Sequence, residues 1–224
     1  MGAAQRPPSK TDELTIKIRD AIRRGELARG ALYSAEELGR RFGVSRTPVR
    51  ESLLRLADAN LVRIERNRGV WIVGSTPDDV QEIFTLRLLL EPPATRRAAT
   101  LMTPADVAAL METLDQMRRH RDDPDEFFAA DRRFHDLILR AAKNSRLSNY
   151  VASLRDIISL QGTRTVPAAR TADQIVVEHT AVAEALAAGD GGAAADRMRS
   201  HLLSTAALLL GEDNDLLAGL DWPV

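Results

Sequence analysis

The chain has 224 residues, enough for one large domain or two small ones, and its 44% hydrophobic and 28% charged residues are typical of a globular protein. It contains no cysteine, which excludes disulfides, thiolate metal sites, iron–sulfur clusters and a cysteine nucleophile. Aromatic residues make up only 4%, and alanine and leucine are abundant, which favours helices over a sandwich or barrel. With no apolar run of the roughly 18 residues that span a bilayer and no signal-peptide core, we expect a cytoplasmic protein without a membrane partner.

Charge is distributed unevenly along the chain. Residues 1–75 carry 15 basic and 9 acidic side chains, a net charge of +6, whereas residues 76–224 carry a net charge of −7. A basic first third followed by an acidic remainder favours binding of a polyanion by the first third. A protein whose surface charge is uneven for other reasons would have the same net charges. The sequence motifs therefore have to distinguish polyanion binding from this alternative.

Three short helices are predicted in the first third. The first covers about Asp12–Arg24, the second is opened by Ser34 and ends near Gly43, and the third is opened by Ser45. Ser34 and Glu37 have the spacing of a capping box, in which each side chain binds the backbone amide of the other residue. The second and third helices lie close together in sequence, which is the layout of a helix-turn-helix.

The third helix carries hydroxyl and arginine side chains in its first turn. Arg46 and Arg50 are four residues apart, so both project from one face of that helix. Such groups bind phosphates and guanine edges in a major groove. The alternative is that both arginines are merely solvated.

A hairpin follows the third helix. Residues 61–65 and 70–73 read as two strands, and Arg66, Arg68 and Gly69 lie in the turn between them. An arginine-rich tip of this kind could act as a wing that enters a minor groove of the DNA while the third helix occupies the adjacent major groove.

These motifs resemble the winged-helix domain of the GntR family of bacterial transcription regulators. The residues that carry the resemblance are Glu37-Leu38, Gly43 to Glu51, Leu53, Leu56, Leu61-Val62 and Gly69. The resemblance implies that Ser45, Arg46, Thr47 and Arg50 contact operator DNA and that Gly69 is the glycine of the wing. Some members of the family have a DNA-contacting arginine where this chain has Glu36.

The remainder of the chain is predicted to be an all-α bundle of six to seven helices. Thr76-Pro77, Thr103-Pro104 and Asp123-Pro124 each place a capping side chain before proline at the first helical position. Further helices are expected at about 146–164, 171–188 and 191–210, and Pro92-Pro93 should kink or divide the first long segment.

The resulting fold class is mainly α, with an N-terminal winged helix-turn-helix domain followed by a helical bundle. A boundary is visible at residues 74–77. We therefore expect a DNA-binding domain at 8–75, a helical effector- and metal-binding domain at 76–212, and a C-terminal tail at 213–224.

Four residues of the helical region have side chains that bind metal ions. Asp131 and His135 are four residues apart on one predicted helix, and His179 and His201 lie on two others, so all four could converge on the bundle axis. From spacing alone, the alternatives are buried structural histidines and an ordinary Asp–His surface contact.

This region resembles the FCD domain found in the FadR subgroup of the GntR family. The matching residues are Arg87 to Glu91, Asp131, Phe134-His135, Asn144, Glu178-His179, Ala185-Leu186, Gly189-Asp190 and His201. The resemblance implies a divalent metal ion bound by Asp131, His135, His179 and His201. Zinc is the expected ion, and nickel or manganese would suit the same ligands.

Three imidazoles and one carboxylate would leave one or two positions open on an octahedral ion, which a small carboxylate effector could fill. Arg87 is the candidate to neutralise the rest of the effector's charge; the alternative is that it pairs with Glu91, four residues on. Asn144 is expected to cap a helix, and His120 is expected at a solvated helix end, outside the site.

The sequence therefore predicts a metal-dependent, effector-responsive transcription regulator, not an enzyme, acting as a homodimer on double-stranded operator DNA. One alternative is a metalloenzyme with Glu178 as general base, although Glu178 should point about 100° away from His179 on a helix. The other is a DNA-binding protein whose helical domain serves only for dimerisation.

Overall fold

The computed structural model describes residues 9–58, 61–73, 77–160 and 170–210. These residues form nine helices and three short strands. In chain order they are α1 Lys10–Arg23, β1 Leu32–Tyr33, α2 Ala35–Phe42, α3 Arg46–Asp58, β2 Val62–Glu65, β3 Gly69–Ile72, α4 Pro77–Ala99, α5 Pro104–Arg119, α6 Pro124–Ala141, α7 Ser145–Leu160, α8 Ala172–Ala187 and α9 Gly191–Leu210.

The described residues divide into two compact units. The first contains residues 9–58, 61–73 and 155–160, and the second contains residues 77–154 and 170–210. The prediction of a mainly helical protein with an N-terminal winged helix-turn-helix and a C-terminal helical domain is confirmed. The expected boundary at residues 74–76 and the expected tail at 213–224 lie outside the described residues.

The three N-terminal helices begin and end where local backbone chemistry requires. The Ser34 side chain accepts the Glu37 amide at the start of α2, and Gly43 ends that helix in the left-handed conformation, with φ of 67°. The turn that follows is tight, because the Val44 amide bonds to the Gly39 carbonyl and a Cβ on Gly39 would lie 2.9 Å from the Val44 oxygen. This tight turn positions α3 against α2.

The core of the first unit is apolar, and α3 contributes one stripe to it. That stripe is Val49, Ser52, Leu53 and Leu56, spaced as one face of a helix. The other members of the core come from α1, α2, the sheet and the segments that connect them: Leu14, Ile18, Ala21, Ile22, Leu27, Leu38, Leu61, Val62, Val70 and Ile72. The opposite face of α3 is consequently left exposed.

The sheet has a third strand that the sequence pattern did not predict. Its order is β1–β3–β2, with both pairs antiparallel and Leu32 opposite Trp71. Two residues are too few to show an alternating pattern, so β1 exists only through its pairing with β3. Gly69, at the start of β3, has φ of 136°, and a Cβ there would lie 2.2 Å from the Tyr33 carbonyl oxygen. Glycine at this position therefore permits the wing to close against β1.

Among the described residues, the second unit consists of α4 to α6, residues 145–154 of α7, α8 and α9. Thr103 and Asp123 cap α5 and α6 with proline at the first helical position, as predicted. Pro92-Pro93 was expected to kink or divide the first long segment; the division is wrong, because α4 continues through both prolines as one helix, and the kink stays a prediction. Pro92 is buried there, so the free energy gained by packing α4 offsets the loss of the backbone hydrogen bonds that the two prolines cannot form.

Helices α4, α6, α8 and α9 pack around one interior. Its largest buried side chains include Phe84, Phe127 and Phe134 from these helices, and α5 packs beside them with Leu110, Leu114 and Met117. Polar side chains project into this apolar interior from each of the four helices, and they form the site described below. Within the described residues, no helix is long and apolar enough to cross a membrane.

The Gly69 contact predicts a specific loss of stability. Gly69→Ala should lower the free energy of unfolding of the first unit by about 2–4 kcal/mol, from backbone strain together with the clash on Tyr33. Gly30→Ala is the matched control, because Gly30 also has a positive φ but an added Cβ meets nothing within 4 Å. Gly30→Ala should lower the free energy of unfolding by only about 1–2 kcal/mol. Urea titration followed by Trp71 fluorescence in a Trp222→Phe background measures both, and equal losses would contradict the contact.

Candidate functional site

Three buried histidines from three helices meet in the interior of the second unit. His135 on α6, His179 on α8 and His201 on α9 are 1%, 1% and 5% exposed. One ring nitrogen of each lies within 4.8 Å of the others, and Nε2 of His135 and Nε2 of His179 are 3.3 Å apart. Phe134, a buried core residue, packs edge-on against His179, with 4.6 Å between the ring centres. The expected convergence of these helices is present.

Each of the three histidines has its Nδ1 atom bound to an acceptor. His135 Nδ1 lies 2.8 Å from Glu91 Oε2, His179 Nδ1 lies 2.8 Å from the Ile175 carbonyl, and His201 Nδ1 lies 2.7 Å from Glu178 Oε2. Because carboxylates and carbonyls only accept, Nδ1 carries the proton in each neutral ring and Nε2 keeps its lone pair. The Nε2 atoms of His135 and His179 therefore face each other, and His201 supplies a third ring nitrogen within 4.8 Å.

Burial lowers the pKa of His201 well below its ordinary value, and the nearby His179 lowers that pKa further. His201 is consequently neutral at physiological pH, which is the form that binds metal ions. Two Nε2 lone pairs that face each other at 3.3 Å, as in His135 and His179, repel unless a proton or a metal ion lies between them.

Asp131 stands at the edge of the cluster. It lies on α6 one turn before His135, its side chain is 17% exposed, and Oδ1 is 3.1 Å from Nε2 of His179. Two donors at about 2.1 Å from one ion lie about 3.0–3.4 Å apart, so the spacing of these atoms fits a shared ion. Three imidazole nitrogens with one carboxylate oxygen suit zinc, nickel or manganese.

Arg87 is buried and bound to Glu91. Its Nε donates to Glu91 Oε1 at 2.6 Å, and its guanidinium carbon lies 4.8 Å from the centre of the Phe84 ring. This is the pairing that the sequence left as the alternative to effector binding. The other oxygen of Glu91 binds His135, so Arg87 is connected to the histidine cluster through one carboxylate.

Glu178 and Arg170 are partners of the cluster that sequence reasoning missed. Arg170 Nη1 donates to Glu178 Oε2 at 2.7 Å, and Nη2 donates to Thr205 Oγ1 at 2.9 Å. Glu178 points away from His179, as its helical position requires, but towards His201 on α9. Only the packing of α8 against α9 shows this, and no spacing in the sequence signals it.

Two residues that the sequence placed outside the site do lie elsewhere. Asn144 accepts the Leu147 amide at 3.1 Å at the start of α7, as a helix cap. His120 is the C-terminal cap of α5 and has no ligand atom in the cluster.

The residues expected to contact DNA lie on the first unit. Ser45, Arg46, Thr47 and Arg50 are exposed on the first turns of α3 and immediately before it. A groove of about 480 Å³ lies between α3 and the wing. It brings together Arg46, Arg50, Arg66, Arg68 and Gly69, with Leu54 and Ile64 as apolar patches.

Carboxylates accompany two of these arginines. Arg46 binds Glu36 on α2, and Arg68 Nη1 binds Glu65 Oε1 at 2.6 Å. Glu65 also accepts the Trp71 indole, and these hydrogen bonds together lower its pKa. The surface that faces a polyanion therefore includes acidic groups as well as arginines.

Comparison with known proteins decides the family. Residues 10–72 match the family model described as bacterial regulatory proteins, gntR family, and residues 82–204 match the FCD domain. The chain belongs to the GntR family and carries an FCD domain.

Two curated relatives and one solved structure illustrate this membership. A Streptomyces ambofaciens protein, described as an HTH-type transcriptional regulator in an unstable DNA locus, is 30% identical over 85% of this chain and 80% of its own. The gluconate operon transcriptional repressor of Bacillus subtilis is 32% identical over 65% of this chain and 60% of its own. The McbR/YncC structure from E. coli shares the fold, with a TM-score of 0.79, 22% identity and coverage of 92% and 99%.

This GntR-family protein is a DNA-binding transcriptional regulator of the FCD type. The winged helix-turn-helix supplies the DNA-binding unit, and the histidine cluster lies in the interior of the FCD domain. Its relatives and both domain matches are those of regulators rather than enzymes.

The contact between Glu36 and Arg46 predicts an effect on DNA affinity. Glu36→Gln should raise affinity for a duplex of random sequence about two- to five-fold, because it removes a negative charge from the groove and releases Arg46. Glu37→Gln is the matched control, with the same charge change on the next exposed residue, which does not line the groove. Fluorescence anisotropy measures both, and equal changes in affinity would rule out a particular role for Glu36.

Proposed function

We propose that this regulator binds operator DNA as a homodimer and that its DNA affinity responds to a small carboxylate effector at a divalent metal site. Asp131, His135, His179 and His201 would hold the ion, with zinc the expected one. The observation that carries the proposal is a set of three buried imidazoles: each has its Nδ1 atom bound to an acceptor, and one ring nitrogen of each lies within 4.8 Å of the others.

A structural role alone does not explain this cluster well. Three imidazole rings whose ring nitrogens lie within 4.8 Å of one another in an apolar interior add electrostatic repulsion between their lone pairs. Hydrophobic residues of similar volume would fill the same space without that cost. A cation bound to the three lone pairs and the Asp131 carboxylate removes it.

Charge favours an anionic effector. A divalent ion with the Asp131 carboxylate has a net charge of +1, and the pairs Arg87–Glu91 and Arg170–Glu178 are each neutral. Arg87 acts on the same interior, since its charge contributes to the lowered pKa of His201. Arg87 is the effector-binding residue of the proposal, and its guanidinium group is buried in the same interior as the histidine cluster. When bound, the ion supplies open coordination positions for a carboxylate oxygen.

The name of one relative agrees with this class of effector. The Bacillus subtilis relative represses the gluconate operon, and gluconate is a small carboxylate. The metalloenzyme alternative requires Glu178 as a general base. Glu178 instead accepts hydrogen bonds from Arg170 and His201, which favours the regulatory role.

The DNA contacts are assigned to α3 and the wing. Ser45, Arg46, Thr47 and Arg50 would enter the major groove, and Arg68 with Gly69 would approach the adjacent backbone or minor groove. All except Gly69 are exposed, so they are available to DNA without loss of core packing. A single winged helix covers few base pairs, and two copies on a near-palindromic site supply the contact area that specific binding needs.

Arg50→Ala should weaken binding to a duplex selected by the protein from a random library. Loss of a base contact corresponds to about 1–3 kcal/mol, or about 5- to 150-fold in affinity. Arg133→Ala on α6 is the control, since it removes the same charge from an exposed position of the other unit. Anisotropy titrations with the selected duplex measure the change, and unchanged affinity of the Arg50 variant would remove this residue from the interface.

Arg68→Ala should weaken binding to selected and random duplexes by a similar factor. If Arg68 neutralises one phosphate, the plot of log affinity against log salt concentration should become less steep in the variant, with the magnitude of its slope smaller by about 1. Anisotropy at four salt concentrations measures this slope. A slope identical to that of the unmodified protein would show that the tip of the wing does not touch DNA.

His135→Ala and His179→Ala should each lower zinc content and abolish the rise in melting temperature that zinc produces. His120→Ala is the matched control, because this fourth histidine lies at the end of α5. Elemental analysis and thermal unfolding measure the two effects. A His135→Ala protein that retains one zinc per chain with unchanged affinity would refute the site.

The effector proposal is tested on the zinc-loaded protein with a panel of small organic acids that begins with gluconate. A binding acid should raise the melting temperature in proportion to its occupancy and change DNA affinity, and His135→Ala should lose both responses. An acid that acts equally on the metal-free His135 variant would place the effector elsewhere.

A further inference from the structure

Two three-residue chains of the same chemistry approach the histidine cluster from different sides. In the first, Arg87 Nε binds Glu91 Oε1 at 2.6 Å, and Glu91 Oε2 binds His135 Nδ1 at 2.8 Å. In the second, Arg170 Nη1 and His201 Nδ1 both lie 2.7 Å from Glu178 Oε2. Each chain runs from guanidinium to carboxylate to imidazole.

The two chains connect separate elements. Arg87 and Glu91 lie on α4 and hold a ring of α6, whereas Glu178 on α8 and Arg170 just before it hold a ring of α9. The third ring, His179, needs no such partner, because its Nδ1 binds the carbonyl of Ile175 one turn earlier on its own helix. Two rings therefore depend on a carboxylate from another helix for their orientation.

Burial shows that these contacts are built into the interior. The side chains of Arg87, Glu91 and His135 are 6%, 1% and 1% exposed, and those of Arg170 and His201 are 7% and 6% exposed. Glu178 is more accessible, at 28%. Long charged side chains are rarely buried to this extent unless paired, and here each positive group is matched by one carboxylate.

We propose that Glu91 and Glu178 are positioning residues of the histidine site, and that Arg87 and Arg170 hold these carboxylates in place. By accepting from Nδ1, each carboxylate selects the tautomer that has its lone pair on Nε2 and sets the angle of the ring. This inference rests on the proposed metal site. It also gives Arg87 a role through Glu91, in addition to any effect of its charge on an effector.

Replacement of the two carboxylates should affect the stability of the fold to different extents. Glu91 is fully buried between an arginine and a histidine, so its replacement also affects folding of the bundle. Glu178 is partly accessible, and its replacement should leave the fold intact. Glu178→Gln is therefore the primary variant, and Glu91→Gln is the second.

Two measurements test the inference. Competition with a chelator should show zinc affinity about 10- to 100-fold weaker in Glu178→Gln. Imidazole ¹⁵N NMR of the metal-free protein should show His201 in the Nδ1–H tautomer before the change and in a mixture of tautomers after it. Glu184→Gln is the matched control, since Glu184 is exposed on the same helix and forms no contact with the histidines among the described residues.

The outcomes separate the positioning role from the metal site itself. Weaker zinc binding and a changed tautomer, with the melting temperature of the metal-free protein unchanged, support positioning. Unchanged affinity and an unchanged tautomer in Glu178→Gln overturn it. If the unmodified protein binds no zinc, the metal proposal fails, whereas the NMR spectrum of the metal-free protein still decides whether Glu178 orients His201.

Discussion

The helical domain depends on keeping a polar cluster satisfied inside an apolar bundle. Removing one partner from a buried ion pair costs about 3–5 kcal/mol, because the other charge is left uncompensated. Glu91 must therefore keep both Arg87 and His135, and these contacts constrain α4 against α6. Arg170 bonds to α8 and to Thr205 on α9, and so constrains that pair of helices as well. The contacts that hold these helices together are therefore the same contacts that orient the histidines.

In the DNA-binding unit, the residues that stabilise the fold and the residues assigned to DNA recognition lie on opposite faces of α3. The stripe of α3 that contains Val49, Leu53 and Leu56 is buried, whereas Arg46 and Arg50 are exposed on the other side of the helix. Substitutions on the exposed face change charge and hydrogen bonding with little effect on the core. In the helical domain the functional side chains are part of the core, so their substitution affects both properties.

Local interactions explain what could be predicted from sequence. A capping side chain binds an amide two or three residues away, and a helical face repeats every three or four residues, so both are visible in the sequence. Thr103 and Asp123 cap their helices as predicted, and the helices of the bundle lie where periodicity places them. The candidate metal ligands were identified by their residue types and by resemblance to the FCD domain, and the structure brings the three histidines together.

Only the tertiary structure decided the features that depend on contacts between elements. The strand β1 has two residues and exists through its pairing with β3, and α4 continues through Pro92 because packing outweighs the lost hydrogen bonds. Glu91 and Glu178 hold histidines that are 44 and 23 residues away in sequence. Such partners are set by how each helix is rotated about its axis when it packs. The sequence determines which face of a helix is apolar, but which polar side chains meet at a shared interior is decided only when the helices come together.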